Sequence, residues 1–220
     1  MKKTMVVFSG GMDSATLLYH LCDLRHTVTA VSVNYKQRHA VELRYGHRLC
    51  ERLGVPLLQL NLRSVGELLR GSSQIDQSVS VPYGHYQAET MKQTVVPNRN
   101  MLLLAAAASM AISEKCNFLA YGAHAGDHDI YPDCRPEFIQ IMRQAFLKCD
   151  WNPLELLVPF QDWTKGMIAK EGIRLGVPYE LTWTCYEGKQ RPCGLCGACH
   201  ERREAFLEAG VQDPLESHGN

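Results

Sequence analysis

Short apolar runs alternate with longer amphipathic segments over most of this 220-residue chain. The short runs are typical of buried β-strands, and the longer segments carry apolar residues at helical spacing. When each strand is followed by a helix, the strands lie parallel and the crossovers are right-handed. The pattern therefore predicts an α/β fold, a doubly wound five-stranded parallel sheet with helices on both faces. The predicted strands are 5–8, 28–33, 55–60, 118–121 and 154–158, and the predicted helices are 14–22, 40–53, 101–115, 136–148 and 164–175.

Two regions break this alternation. Residues 71–96 are polar and irregular, and they are too long for an ordinary connection, which favours a functional insertion or a lid. From residue 182 onward the periodicity is lost, and cysteine and glycine become frequent. We therefore expect a main domain in residues 1–181 and a smaller C-terminal segment, 182–220, packed on it.

Charge and hydropathy exclude several classes of protein. The chain has 23 Lys and Arg against 23 Asp and Glu, a balance that argues against stable nucleic-acid binding. No stretch approaches the roughly 18 apolar residues of a membrane span. The first apolar run is interrupted by Asp13 before a signal-peptide core could form, so we expect a cytoplasmic protein. In a reducing compartment, the nine cysteines are better explained by metal binding or catalysis than by disulfides.

A glycine-containing loop lies between the first predicted strand and the first predicted helix. We call residues 9–14 the phosphate loop; they read Ser9-Gly10-Gly11-Met12-Asp13-Ser14. Free N–H groups at a helix start and serine hydroxyls suit an anion, whereas the Walker and dinucleotide-binding patterns are absent. A carboxylate at position 13 is unexpected in an anion site unless it caps the helix or holds a cation such as Mg²⁺. A plain strand-to-helix turn is the alternative.

Four cysteines lie close together in the C-terminal segment: Cys185, Cys193, Cys196 and Cys199. Two overlapping C-x2-C pairs can direct their thiolates at one metal, and four thiolates fill the tetrahedron of a closed structural Zn²⁺ site. An Fe–S cluster uses the same ligands and stays open as an alternative. A redox pair and two disulfides are less favoured. The remaining cysteines are expected to be packing residues: Cys22, Cys50, Cys116, Cys134 and Cys149.

The phosphate loop resembles the SGGxDS loop of the N-type ATP pyrophosphatase, or PP-loop, superfamily at every specified position. The resemblance implies a nucleotide-binding domain in which ATP is cleaved beside its α-phosphate, so that a substrate oxygen is adenylated. It also implies a phosphate-contacting lysine at the start of the helix after the fifth strand, where Lys165 lies. We expect Asp13, Ser14 and Lys165 to be catalytic. The expected ATP-binding residues are Phe8, Ser9, Gly10, Gly11, Met12, Asp13, Ser14, Ala15, Thr16, Leu17 and Leu18.

Further segments are similar to the QueC family within that superfamily. They are 8–14, 34–39, 96–100, 131–138, 184–186 and 192–194. The resemblance implies an adenine nucleotide alpha-hydrolase-like fold and an ATP-dependent ligase of queuosine biosynthesis. Such an enzyme converts 7-carboxy-7-deazaguanine and ammonia into the nitrile. It further implies ATP as substrate with Mg²⁺, one structural Zn²⁺ in the C-terminal segment, and a homodimer.

Segment 131–138 follows the fourth strand and is a candidate for substrate binding. Asp133 could accept hydrogen bonds from the guanine-like ring, and Arg135 could pair with the substrate carboxylate. Arg99, ahead of the 101–115 helix, is a third candidate. A helix-start role for 133–136 is the alternative. Nearby polar residues match no metal spacing and are expected to form a rim of the site: His124, Asp127, His128 and Asp129.

Two other functions remain as alternatives. A PP-loop tRNA thiolase also combines this loop with clustered cysteines, but it needs a surface for tRNA, which the neutral charge does not favour. A zinc-knuckle binding module without catalysis is a different class, and the intact phosphate loop argues against it. Turnover of ATP would separate the classes.

Overall fold

Five parallel strands form one sheet in the computed structural model of the chain, which describes residues 2–86 and 88–217. The strand order is β3-β2-β1-β4-β5, and every neighbouring pair is parallel. This order confirms the doubly wound five-stranded sheet predicted from the sequence. The strands are β1 Lys3–Val7, β2 Thr27–Asn34, β3 Leu57–Asn61, β4 Phe118–Ala120 and β5 Glu155–Leu157.

Eight helices accompany the strands in the described part of the chain. They are α1 Met12–Asp23, α2 Glu42–Leu53, α3 Arg63–Gly66, α4 Arg99–Ser113, α5 Pro136–Phe146, α6 Lys165–Leu175, α7 Gly197–Glu208 and α8 Pro214–Ser217. Gly54 and Gly176 end α2 and α6 in the left-handed conformation that glycine adopts most readily. At the other end of α6, the Thr164 hydroxyl accepts a hydrogen bond from the Met167 N–H at 3.1 Å. Within the described residues, no helix has both the length and the apolar character that crossing a bilayer requires.

Alternation of side chains along each strand divides the core between the two faces of the sheet. Met5 and Leu119 point to the face covered by α4 and α5, while their neighbours Val6 and Ala120 point to the face covered by α1, α2, α6 and α7. Strands that are buried on both faces read as continuous apolar runs, which is why the sequence revealed them.

The segment 71–96 is anchored to the rest of the molecule by buried residues and backbone contacts. The Arg38 guanidinium donates 2.8 Å hydrogen bonds to the carbonyls of Asp76 and Val79. Tyr86 and Met91 belong to the same core as α4 and α5. A 3₁₀ helix, Glu89–Thr94, ends the segment. The segment has few regular elements, and its interior is packed. A role as lid stays a prediction.

The C-terminal segment contains a 12-residue helix, α7, that the loss of periodicity did not indicate. Its buried face mixes the apolar Ala205 and Phe206 with the charged Glu201 and Arg202. Charged residues on a buried face erase the apolar stripe by which a helix is recognised. Ala205 and Phe206 complete the core formed by α1 and α6, so this segment shares a core with the main domain.

Arg202 and Asp213 form a buried ion pair that ties the end of the described chain to α7. The guanidinium donates to both Asp213 carboxylate oxygens, at 2.6 and 2.8 Å, and each side chain is 4% exposed. Arg202 also donates to the Thr182 hydroxyl at 2.7 Å and to the Tyr179 carbonyl at 3.0 Å. The pair therefore connects α7 with the chain that leads into the cysteine cluster.

We expect Asp213→Ala to lower the free energy of unfolding by about 3–5 kcal/mol, because it leaves the buried Arg202 charge without its counterion. Urea denaturation followed by circular dichroism measures the change. Glu67→Ala, which removes an exposed ion pair with Lys36, is the matched control and should alter stability far less. Equal, small effects of both variants would contradict the prediction.

Candidate active site

An open cleft lies at the carboxyl edge of the sheet, where ligands of doubly wound folds bind. The empty space within it, counted together with the open space at its mouth, is about 1110 Å³. Segments after β1, β2 and β4 form its floor, and α4, α6 and α7 contribute side chains from the rim. The polar and aromatic residues lining it are Phe8, Ser9, Asp13, Ser14, Tyr35, His39, Glu42, Tyr86, Arg99, Asn100, Tyr121, Asp127, Tyr131, Lys165, Trp183, Thr184 and Tyr186.

The phosphate loop has the shape expected for an anion-binding turn. Gly10 has φ +89°, and a Cβ at this position would lie 2.5 Å from the Glu42 carbonyl oxygen, so only glycine fits here. The Ser9 and Ser14 hydroxyl oxygens lie 3.1 Å apart, and Ser9 accepts a hydrogen bond from the Gly11 N–H. Two hydroxyls and the first N–H groups of α1 thus converge on one wall of the cleft.

Only part of the predicted ATP-binding stretch faces the cleft. Phe8, Ser9, Gly11, Asp13 and Ser14 line it. The α1 residues 15–18 are fully buried on the opposite side, where they pack against β1 and α6 or hydrogen-bond within the core. Their contribution to nucleotide binding, if the prediction holds, is to fix the position of the loop.

Asp13 does not cap α1, the first of the two roles considered for it. The helix begins after Gly11 without a side-chain cap, and Asp13 instead forms an ion pair with Lys165, 3.1 Å between Oδ2 and Nζ. Lys165 in turn donates to the Glu201 carboxylate at 2.6 Å. The carboxylates come from α1 and α7 and the lysine from α6, so three helices meet at this cation.

Lys165 keeps its proton in this position. Burial lowers the pKa of the ammonium group, but the carboxylates of Asp13, Glu201 and Asp127 outweigh burial and raise the pKa above its usual range. The side chain is 10% exposed, so its charge acts in a medium of low dielectric constant. A fixed cation beside the phosphate loop suits the negative charge of a polyphosphate.

His124 and Asp127 continue this network towards Tyr86. His124 Nδ1 accepts a hydrogen bond from the Gly126 N–H, which leaves Nε2 to carry the proton of the neutral ring. That Nε2 lies 3.6 Å from Asp127 and 4.0 Å from Asp13 and has no hydrogen-bond partner in the described chain. The Tyr86 hydroxyl donates to Asp127 at 3.0 Å. His124 is therefore buried beside Asp127 and not on a rim of the cleft, while Asp129 is exposed.

The other end of the cleft is lined by aromatic side chains and by two groups whose shifted pKa values favour the neutral form. The hydroxyls of Tyr131 and Tyr186 lie 3.1 Å apart, and the Tyr186 ring packs on His39 at 5.9 Å between centroids. Burial, and after it the neighbouring Arg99, lower the pKa of His39 to about 3, so the imidazole is neutral. Burial raises the pKa of Glu42 to about 8 despite a 3.0 Å hydrogen bond from the Gln37 amide.

The shifted pKa of Glu42 predicts a pH dependence of stability. The folded state holds the proton up to about pH 8, whereas an unfolded glutamate loses it near pH 4.5. The contribution of Glu42 is therefore fully present below about pH 4.5 and is lost as the pH rises through 8. We expect the stability of wild type relative to Glu42→Gln to fall between pH 5 and 8, by at most about 1.4 kcal/mol per pH unit. Urea denaturation measures it. Exposed Glu51→Gln on the same helix is the control, and parallel curves for wild type and Glu42→Gln would contradict the expectation.

The three predicted substrate residues lie in different places. Arg99 lines the cleft. Asp133 accepts a 2.8 Å hydrogen bond from the Asn100 N–H through Oδ2, which places its carboxylate at the N-terminus of α4. Arg135 is exposed and donates to the His128 carbonyl at 2.8 Å. Neither contact caps α5, the helix that follows these residues, and the role of Asp133 and Arg135 in binding substrate stays a prediction.

The four cysteines of the C-terminal segment converge on one point. Their sulfur atoms all lie within 4.8 Å of one another, with Sγ separations of 3.5 Å for Cys196 and Cys199 and 4.0 Å for Cys193 and Cys199. Four thiolates around one Zn²⁺ stand about 3.8 Å apart, from a Zn–S distance near 2.3 Å. The N–H of Cys193 points at the Cys185 sulfur at 3.3 Å, as suits a thiolate. The cluster can hold a metal ion.

Short contacts link this cysteine cluster to the cleft. The Trp183 N–H donates to the Gly10 carbonyl at 2.9 Å, and its indole N–H donates to the Cys185 carbonyl at 2.8 Å. Cys196 is the residue before α7, the helix that carries Glu201 to Lys165. The cysteine cluster thus holds in place both the phosphate loop and Glu201, an acidic partner of Lys165.

Several residues of the site were missed by the sequence reading. Glu201 lies in a stretch without periodicity, and Tyr86 lies in the irregular insertion, so neither position carried a signal. Glu42 follows β2, and that location at the carboxyl end of a strand could have pointed to it.

Comparison with known proteins places the chain in a group of close relatives. A family model described as "Queuosine biosynthesis protein QueC" matches residues 3–210. A protein from Methanoregula boonei named 7-cyano-7-deazaguanine synthase is 53% identical over 215 residues, covering 97% of this chain and 98% of that protein. A protein of the same name from Caldicellulosiruptor saccharolyticus is 49% identical over 214 residues, covering 97% of this chain and 95% of its own.

Solved structures with a similar fold are much more distant. The U34-tRNA thiolase NcsA from Methanococcus maripaludis, solved with its [4Fe-4S] cluster, has a TM-score of 0.53 and 16% identity, covering 99% of this chain and 67% of its own. NMN synthetase from Francisella tularensis has a TM-score of 0.50 and 15% identity, covering 97% of this chain and 80% of its own. At such identity, these likenesses show the fold alone.

Proposed function

Since the chain belongs to the QueC family, we propose that it is an ATP-dependent ligase that makes 7-cyano-7-deazaguanine from 7-carboxy-7-deazaguanine and ammonia. One observation carries the proposal: the phosphate loop and the paired cation Lys165 lie together in the same cleft that Arg99, Tyr131 and Tyr186 line at its other end. An enzyme that joins ATP to a small aromatic acid needs a phosphate-binding part and an aromatic part in one cavity.

The chemistry needs two activations. In the first, a carboxylate oxygen of the deazaguanine bonds to the α-phosphorus of ATP, and pyrophosphate leaves with the electron pair of the broken bond. Ammonia attacks the acyl carbon, loses a proton and displaces AMP, which gives the amide. In the second, the amide oxygen attacks the α-phosphorus of another ATP, and pyrophosphate leaves again. Departure of AMP and loss of both protons on nitrogen give the nitrile.

The residues of the site would serve these steps mainly by position and charge. The Ser9 and Ser14 hydroxyls and the first N–H groups of α1 would hold the pyrophosphate portion. Lys165 would stabilise the negative charge that develops as pyrophosphate departs. Asp13 and Glu201 fix the lysine from two sides, so the ammonium group requires little rearrangement when ATP arrives.

Two metal ions are part of the proposal. Asp13 Oδ1 is buried and has no hydrogen-bond partner among the residues the structure describes, and such an oxygen fits a ligand for the Mg²⁺ that accompanies ATP. The close sulfur atoms of the cysteine cluster fit a single Zn²⁺. An Fe–S cube attaches each cysteine to a different iron, which requires a wider separation of the four sulfur atoms. A homodimer, cytoplasmic location and free ammonia as nitrogen source remain proposals from the family resemblance.

The test is turnover by the purified protein with 7-carboxy-7-deazaguanine, ammonium, ATP and Mg²⁺ and no RNA. We expect the nitrile by mass spectrometry, with AMP and pyrophosphate as co-products. Omission of ammonium is the control and should abolish the nitrile. Thiolation of added tRNA without any nitrile would overturn the proposal in favour of the thiolase alternative.

A further inference from the structure

Arg99 places a guanidinium in the cleft without an ionic partner. Its Nε donates to the Asn100 side chain at 3.3 Å, and its central carbon lies 5.4 Å above the Tyr131 ring. Neither contact neutralises the charge. Within the described chain, no carboxylate approaches the guanidinium to 4 Å, whereas Lys165, the other lysine or arginine lining the cleft, contacts two. A partly buried cation without a counterion favours an anionic ligand.

Two of the titratable groups around Arg99 carry no negative charge at neutral pH. His39 is neutral, and burial keeps Glu42 protonated to about pH 8. The Asp133 carboxylate is nearby, but it accepts the Asn100 N–H at the start of α4. The His39 residue is 7% exposed, and its Nδ1 has no hydrogen-bond partner in the described structure. This end of the cleft therefore also offers a ligand an unpaired polar atom.

Arg99 also lies apart from Lys165, the cation at the phosphate loop. Lys165 lies against α1 and α7 with Asp13, whereas Arg99 begins α4, on the other face of the sheet. The two ends of the cleft therefore present one cation each, and only the one at the loop is already balanced by carboxylates.

We propose that Arg99 binds the carboxylate of the substrate and so distinguishes the acid from the amide formed after it. This inference rests on the proposed function. The planar guanidinium matches the two oxygens of a carboxylate, and the match is lost once one oxygen is replaced by an amide nitrogen. An ATP phosphate is the other anion that the same chemistry would recognise, and the experiment separates the two.

The experiment is titration calorimetry of the full chain with three probes, each added separately: 7-carboxy-7-deazaguanine, its 7-amide, and α,β-methylene-ATP with Mg²⁺. The acid and amide titrations are repeated with the ATP analogue present. We expect Arg99→Gln to weaken binding of the acid by roughly 10- to 150-fold and binding of the amide and the analogue by less than about 3-fold. Arg99→Lys should recover part of the lost affinity, because lysine restores the positive charge but not the planar guanidinium with its paired N–H donors.

Other results would overturn the inference. Equal loss of affinity for the acid and the amide would mean that Arg99 contacts the ring and not the carboxylate. Loss confined to the ATP analogue would assign Arg99 to phosphate, and no loss at all would leave it a structural residue. Selective loss of the acid in Arg135→Gln, with Arg99→Gln unaffected, would transfer the role to Arg135.

Two controls complete the design. Arg48→Gln removes an exposed arginine from α2 and should change none of the affinities. Thermal melting of every variant shows whether it is folded, and Arg99→Lys serves in place of Arg99→Gln if the latter unfolds. Failure of wild type to bind either deazaguanine would contradict the proposed function itself, a result distinct from failure of the Arg99 variants alone.

Discussion

Asp13→Ala is expected to abolish turnover while the protein stays folded and keeps its metal. Asp13 contributes an oxygen to Lys165 at 3.1 Å and a second oxygen that fits Mg²⁺ and has no hydrogen-bond partner among the described residues. Under the proposed function, its loss therefore affects both charges that would face the phosphates of ATP. Loss of a single electrostatic partner in an active site costs about 100- to 1000-fold in kcat. The fold should survive because Lys165 retains its 2.6 Å contact with Glu201.

The decisive readouts for Asp13→Ala are kcat for pyrophosphate release, the melting temperature and the zinc content by atomic absorption. Asp23→Ala removes a carboxylate from the other end of α1, where it is exposed beside Arg174, and is the control. Wild-type turnover in Asp13→Ala would remove the residue from the mechanism. Loss of turnover together with the fold would make its role structural.

Cys196→Ser is expected to lower the metal content and to destabilise the whole chain by several kcal/mol. A structural metal contributes its binding free energy to folding, and Cys196 precedes α7, whose residues complete the core shared with α1 and α6. At about 2–4 °C per kcal/mol for a chain of this size, the melting temperature should drop by roughly 10 °C or more.

Chelation of the wild type should give the same shift as Cys196→Ser, and addition of Zn²⁺ should reverse it. The exposed Cys149 offers a control, since Cys149→Ser removes a thiol that lies outside the cluster. A metal-free wild type with undiminished melting temperature would show that the cysteine cluster is not a structural metal site.

The fold was predictable because its signal is local. Five strands and the helices between them appear as apolar runs and stripes, and their alternation limits the topology to a parallel sheet. The prediction failed to include α7, since Glu201 and Arg202 occupy its buried face and conceal its amphipathic character. A helix whose inner face is charged can be recognised only once its partners, Lys165 and Asp213, are known to lie opposite.

The site was predictable where chemistry is concentrated in a short segment. The phosphate loop and the four cysteines are each encoded within 15 residues or fewer, so spacing alone indicates them. Lys165 could be placed because the carboxyl ends of the strands share one edge. The partners of Lys165 could not, since Asp13 and Glu201 are brought together only by the packing of α1, α6 and α7.

The pairing of Lys165 with Glu201 has a consequence for how the protein is made. The Glu201 carboxylate that completes the network lies nearly 190 residues after the phosphate loop. These two parts of the network therefore leave the ribosome at very different times. Until α7 has emerged, the Lys165 ammonium lacks one of its two close counterions, and the core on that face lacks Ala205 and Phe206. The nascent chain therefore carries the phosphate loop long before the residues that complete its surroundings have been synthesised.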